Sequence, residues 1–164
     1  MPELEKEEVG WVLSRIWLDA LEETARDFHG NWPKMFCSRA YEHATDTWMK
    51  VMANEYDLEA RPETTIVASI GSYVDLGVKA GLFTSHSDFK IEALSPNKTA
   101  VTVFECPYRK PCMDLIESGF SVSDLTCARI GCFRAAVKSI SGVECDYEVT
   151  RFSSEACEGF VERI

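Results

Sequence analysis

The apolar residues of this chain change their period once, near residue 84, and that change limits the folds open to it. Before it they recur at the three-to-four-residue spacing of amphipathic helices. Val9, Val12, Leu13, Ile16, Ala20 and Thr24 predict a first helix, broken at Gly30 and Asn31. Pro33 suits the first turn of a second helix, with Asn31 as its cap and Tyr41, Ala44, Trp48, Val51 and Met52 on one face. After Arg61 and Pro62, the stripe Ile66, Ile70, Tyr73, Val74, Gly77, Val78 and Gly81 predicts a third.

From residue 88 the period is two. Phe89, Ile91 and Ala93 alternate with polar neighbours, residues 95–98 make a turn, and 100–106 are rich in β-formers, so a hairpin is expected. Pro107 and Pro111 then interrupt regular structure. Ser121 and Asp124 resemble a capping box, predicting a helix from there to about Ser141 with Gly142 as its stop. Val143, Cys145, Tyr147 and Val149 alternate with polar residues as a half-buried strand, and a turn at 153–155 leads into a last strand. The expectation is one α+β domain over residues 1–164, with a helical half (1–83) and a mixed hairpin–helix–hairpin half (84–164). The N-terminal helices would pack on a small antiparallel sheet of about four strands.

A chain of 164 residues, 46% hydrophobic and 27% charged, can build a core without disulfides. Its net charge of -10 argues against nucleic acid as a partner, because phosphate binding needs a basic surface, and equally against an anionic membrane. The opening MPELEKEEVG is acidic and does not read as a signal peptide, and no apolar run is long enough to span a bilayer. A cytoplasmic location with reduced thiols is therefore expected.

Seven cysteines are an odd number, so they cannot all pair within one chain. Six fall in the last third: Cys106, Cys112, Cys127, Cys132, Cys145 and Cys157. Cys106 and Cys112 bracket a loop bearing Arg109 and Lys110, whose charges favour thiolate, although five intervening residues exceed the spacing of a zinc knuckle. Cys127 falls early in its helix, where the dipole also favours thiolate. Cys127 and Cys106 are thus the candidate nucleophiles. Cys132, Cys145, Cys157 and the isolated Cys37 read equally well as small core residues, and Cys145 and Cys157 would face each other if paired across the last hairpin. His29, His43 and His86 form no ligand pattern. A pocket between the helices and the sheet would be lined by Trp32, Tyr41, Trp48 and Tyr73. Arg109 and Arg129, in a basic cluster with Lys110 and Arg134, could hold a carboxylate by a bidentate fork.

The stretches FECPYRKPC, LTCARIGCFRAAVKSISG and VECDYEVTRFSSEACEGFVERI together resemble the 4-vinyl reductase domain over about residues 88–164. In outline they are also similar to the L-2-amino-thiazoline-4-carboxylate hydrolase-like proteins. The resemblance implies an α+β, often dimeric fold around a cavity for a small, largely apolar ligand. Related sensory domains bind zinc through cysteines and an acid, which implies metal roles for Cys127, Asp146 and Cys157, with Val149 standing where the family has a further cysteine. Cys106 and Cys112 join them as candidate ligands of zinc or iron.

Three readings follow. The first is a small-molecule-binding or sensing module, with Cys106, Cys112 and Cys127 gathered at the pocket rim. The second is a hydrolase opening a C–N bond, with Cys106 or Cys127 as nucleophile or metal ligand. Arg109 or Arg129 would hold a substrate carboxylate there, and His29 or Asp124 would move protons. The third is an interaction subunit whose cysteines fill the core. The expected partners are a small apolar or carboxylate-bearing ligand and a second copy of the chain.

Overall fold

The computed structural model describes residues 6–164; the acidic opening, residues 1–5, lies outside them. Three long helices come first: α1 (Lys6–His29), α2 (Lys34–Tyr56) and α3 (Ile66–Lys79). Strands β1 (Phe89–Ser95) and β2 (Lys98–Val103) form the expected hairpin. A short helix α4 (Arg109–Glu117) and the helix α5 (Ala128–Ser141) follow, and β3 (Cys145–Phe152) and β4 (Cys157–Arg163) close the chain. The sheet is antiparallel throughout, in the order β1-β2-β4-β3. The α+β expectation therefore holds, and no helix among the described residues is long and apolar enough to cross a membrane.

The alternation of β3 buries Cys145, Tyr147 and Val149 and leaves Asp146, Glu148 and Thr150 outside. Val101 and Val103 of β2 and Val161 of β4 join them on the same face. Onto that face α5 lays Ile130, Phe133, Ala136 and Val137, and α3 lays Ile70, Tyr73 and Val74. Phe83, Phe89, Phe133 and Tyr73 meet edge to face, with ring centres 4.9–6.2 Å apart, the arrangement aromatic quadrupoles favour. Helix α2 comes close to α5 because Gly131 has no side chain: a Cβ there would stand 2.3 Å from the Tyr41 ring. Gly142, at φ +71°, ends α5 as its sequence position predicts.

Several local expectations are corrected. Asn31 does not cap α2; Pro33 holds that position, with no side-chain cap. The prolines after β2 do not suppress helix, because Pro111 sits in the first turn of α4, where a missing N–H costs nothing. The Ser121–Asp124 capping box is present but opens only the single 3-10 turn Val122–Asp124. Helix α5 begins later, capped by Cys127. Cys145 and Cys157 lie at opposite ends of the β3–β4 hairpin, Cys145 facing Arg163 and Cys157 facing Phe152.

The largest departure concerns α1. Its stripe predicted a core-facing helix, yet Val9, Leu13 and Ile16 are exposed, as are Trp17 (69%), Leu21 and Phe28 (80%). The face turned toward the body carries Leu18, Glu22, Ala25 and Arg26 instead. Amphipathicity sets which residues share a face; it does not say what that face meets.

Candidate functional site

Four cysteines from separate parts of the chain line one small void. Cys106 follows the end of β2, Cys112 lies in α4, Cys127 caps α5 and Cys157 opens β4. The void measures about 20 Å³, room for roughly one water or one ion. Arg109 and Arg129 also line it, and no carboxylate does.

Cys127 is held there by an unusual backbone. Its φ of 45° lies in the left-handed region, which a non-glycine residue enters at a cost of roughly 1–3 kcal/mol. Its Sγ accepts a hydrogen bond from the Ile130 N–H at 3.5 Å. The dipole argument had favoured thiolate, but burial dominates and pushes the Cys127 thiol well up, against that hydrogen bond. Burial, reinforced by Cys106 and Cys157, likewise raises Cys112 to about 12. Burial and Cys106 raise Cys157 to about 11, with Arg109 opposing. These three groups therefore stay neutral near pH 7 until something draws off their protons, which counts against a free reactive thiolate and suits a latent ligand.

Both arginines also have partners within the chain. The Arg109 guanidinium donates to the carbonyls of Phe104 and Ser154, each at 2.5 Å, fastening the loop after β2 to the β3–β4 turn. Arg129 lies against the faces of Phe83 (4.6 Å), Phe89 (5.9 Å) and Tyr108 (6.0 Å), and its buried Nε has no hydrogen-bond partner. Of the other basic candidates, Arg134 and Lys138 bind Glu42, and Lys110 binds Asp114.

Above the void, and sharing Tyr108, Cys112, Cys127 and Ala128 with it, a cleft of about 280 Å³ opens between α1, α4 and the start of α5. Leu18, Leu115 and Leu125 give it an apolar lining; Asp19, Glu22, Glu23 and Asp114 make it acidic, with Arg26 the cation among its lining residues. Burial raises Asp19, partly offset by Arg15, while Glu23 and Asp114 raise it further. Arg26 stacks 5.5 Å from the Phe120 ring, with Nε and Nη2 buried and without hydrogen-bond partners.

The predicted pocket aromatics lie elsewhere. Tyr41 is buried, its hydroxyl donating to Glu22, and Tyr73 belongs to the main core. Trp48 meets Tyr73 edge to face, and Trp32 is exposed beside Lys34. Asp146 leaves the cysteine group because it alternates to the outer face of β3, where it binds Lys34 at 2.7 Å. His29 stacks on Phe36, and Asp124 is spent on its capping box, so neither reaches the cleft or the void. Cys37 packs with Ala25 and Tyr41, Cys132 lies against that group, and Cys145 is core. The signal missed was the inner face of α1. Glu22 and Arg26, four apart, passed unnoticed beside the stronger apolar stripe.

Cys106, Cys112, Cys127 and Cys157 are the residues of this void that could offer sulfur ligands to a soft divalent ion. Among the described residues, no three His, Cys, Asp or Glu side chains are already arranged around a common ion position. Ligation would therefore require the thiols to close on the void as they lose protons. No family model matches the chain, and no curated protein matches it.

Proposed function

We propose that the chain is a small-molecule-binding or sensing module whose cleft sits on a four-cysteine, metal-binding floor. One observation carries this reading: Cys106, Cys112, Cys127 and Cys157 line a single void that shares two of its sulfurs with the cleft above. A ligand in the cleft would touch Cys112 and Cys127 directly, so occupancy of cleft and void would be coupled. Zinc or iron is the proposed ion, and bound there it would supply a charged, rigid centre joining β2, α4, α5 and β4. The chain's own residues do the rest. Leu18, Leu115 and Leu125 bind apolar surface, while Asp19, Glu22, Glu23 and Asp114 repel anions.

The ligand is accordingly small and largely apolar; a carboxylate would find Arg26 alone among those four acids. The resemblance of residues 88–164 to the 4-vinyl reductase domain supports this reading, through the hairpin–helix–hairpin order and the late cysteines. A reducing compartment would keep the seven thiols free, as they are in the structure. We further infer a homodimer, supported by the apolar outer face of α1.

The test is thermal denaturation of the full chain with small phenols, alkylamines and aromatic carboxylates as probes. A 100-fold excess over Kd adds about 2.7 kcal/mol of stability, so apolar probes should raise the melting temperature by several degrees. Ser118→Trp, at the exposed rim of the cleft, should abolish the rise. A panel that leaves the wild-type melting temperature unmoved would contradict the reading.

A further inference from the structure

We propose that the cleft between α1, α4 and α5 takes a small organic amine whose apolar body also carries an uncharged oxygen acceptor. Its ammonium sits against Asp19 and Glu23, and its oxygen takes the donors of Arg26. The inference rests on the cleft reading above, not on the metal-binding floor, and adds the chemical class of the ligand.

The first observation is an excess of charge. Asp19, Glu22, Glu23 and Asp114 line the cleft against Arg26 alone. Two of these acids have hydrogen-bond or ion-pair partners within the chain. Glu22 accepts from the Tyr41 hydroxyl, and Lys110 binds Asp114 at 3.2 Å. Asp19 and Glu23 form no hydrogen bond or ion pair among the described residues. Burial pushes the Asp19 carboxyl up, and Glu23 and Asp114 add to that push against the pull of Arg15, which does not line the cleft. An ammonium relieves this repulsion, whereas an anion adds to it.

The second observation is a pair of buried donors. The Arg26 side chain is 10% exposed, yet its Nε and Nη2 have no hydrogen-bond partner. Glu22 stands 3.9 Å from Nη2, close enough to balance charge and too far to accept a hydrogen bond. The Phe120 ring, 5.5 Å away, offers a face rather than an acceptor. Asp124, whose carboxyl feels the Arg26 charge, is bound into its capping box at Ser121. The charge of Arg26 is met and its donors are not. Buried donors are normally bonded, and a ligand in this cleft can bring the missing acceptor. An uncharged oxygen does so without adding to the negative charge.

The spacing along α1 joins the two observations. Asp19, Glu23 and Arg26 follow one another four and then three residues apart, so their side chains are neighbours on one helix face. An ammonium and an oxygen on adjacent carbons of one ligand reach both kinds of group. Leu18, Leu115 and Leu125 then cover its apolar body.

The experiment is isothermal titration of the full chain at pH 7 and fixed ionic strength with four probes that share one ring. Phenylalaninol carries the amine and the hydroxyl, phenethylamine lacks the hydroxyl, phenylpropanol lacks the amine, and phenylalanine replaces the hydroxyl by a carboxylate. Phenylalaninol should bind about tenfold tighter than phenethylamine and about tenfold tighter than phenylpropanol, the worth of one hydrogen bond to a charged group. Phenylalanine should bind more weakly than phenylalaninol. Arg26→Met should erase the advantage of phenylalaninol over phenethylamine, and Asp19→Asn should cost the two amines about tenfold more than it costs phenylpropanol. Far-ultraviolet circular dichroism checks the fold of each variant, and the wild-type series decides if either fails to fold.

Phenylpropanol binding as tightly as phenylalaninol would overturn the proposal while leaving the cleft a site for apolar ligands. Tighter binding of phenylalanine than of phenylalaninol would overturn the uncharged acceptor. A wild-type chain that binds none of the four would remove the cleft reading, and the proposal with it.

Discussion

At the scale of single residues, the clearest electrostatic commitment is Glu42. It is 8% exposed, and its carboxylate binds Arg39 and Arg134 at 2.5 Å each and Lys138 at 3.4 Å. Burial alone would raise its pKa. The hydrogen bonds from Arg39 and Arg134, with the charges of Arg134 and Lys138, outweigh burial and hold it at about 2. An unfolded glutamate titrates near 4.3, so the folded state binds fewer protons between these values. The stabilisation is complete above about pH 5 and is lost as pH falls toward 2. Urea unfolding at pH 7 and pH 3 should show wild type losing roughly 1–2 kcal/mol at this residue, an effect absent from Glu42→Gln. An equal acid loss in the variant would show that other carboxylates carry it. Cys127 makes the complementary point. Its strained backbone is an observed outlier at a residue of the candidate site, consistent with a position kept for its sulfur rather than for its fit.

At the scale of elements, α1 is the informative one. A 24-residue helix that turns Glu22 and Arg26 inward and Trp17, Leu21 and Phe28 outward leaves apolar surface against water along its length. Met35, 89% exposed at the start of α2, adds to the apolar exposure. A two-fold axis beside α1 would lay this face on its own copy, an isologous contact in which every residue is used twice. Sedimentation equilibrium at micromolar concentration should give a dimer, and Trp17→Glu should give a monomer with the same far-ultraviolet circular dichroism. A monomeric wild type would dismiss the pairing. The same helix shows why its orientation was not legible: spacing reports which residues lie together, and only tertiary contacts decide which side faces in. Strand β3 was readable for the opposite reason, since a period of two with one polar face leaves a single sensible burial. Helix α4 was hidden by two prolines that read as breakers, although one of them occupies a first-turn position.

At the scale of the whole molecule, the α+β layers and the antiparallel sheet were legible because each half carries one dominant period. The thiol site was legible only in its parts. Cys106, Cys112, Cys127 and Cys157 span 52 residues, and nothing in their spacing brings them together. Their meeting depends on Cys157 opening β4 opposite Val103, on α4 folding back over the end of β2, and on α5 starting at Ala128 rather than near Ser121. The same geometry removes Asp146, which the family resemblance had grouped with them, because strand alternation turns it outward.

The most direct measurement is elemental analysis of untagged protein purified without chelator, paired with a count of reactive thiols before and after chelation. The account predicts about one zinc or iron ion per chain, with Cys106, Cys112, Cys127 and Cys157 protected until the chelator removes it. Metal-free protein, with those four thiols equally reactive before and after chelation, would contradict it.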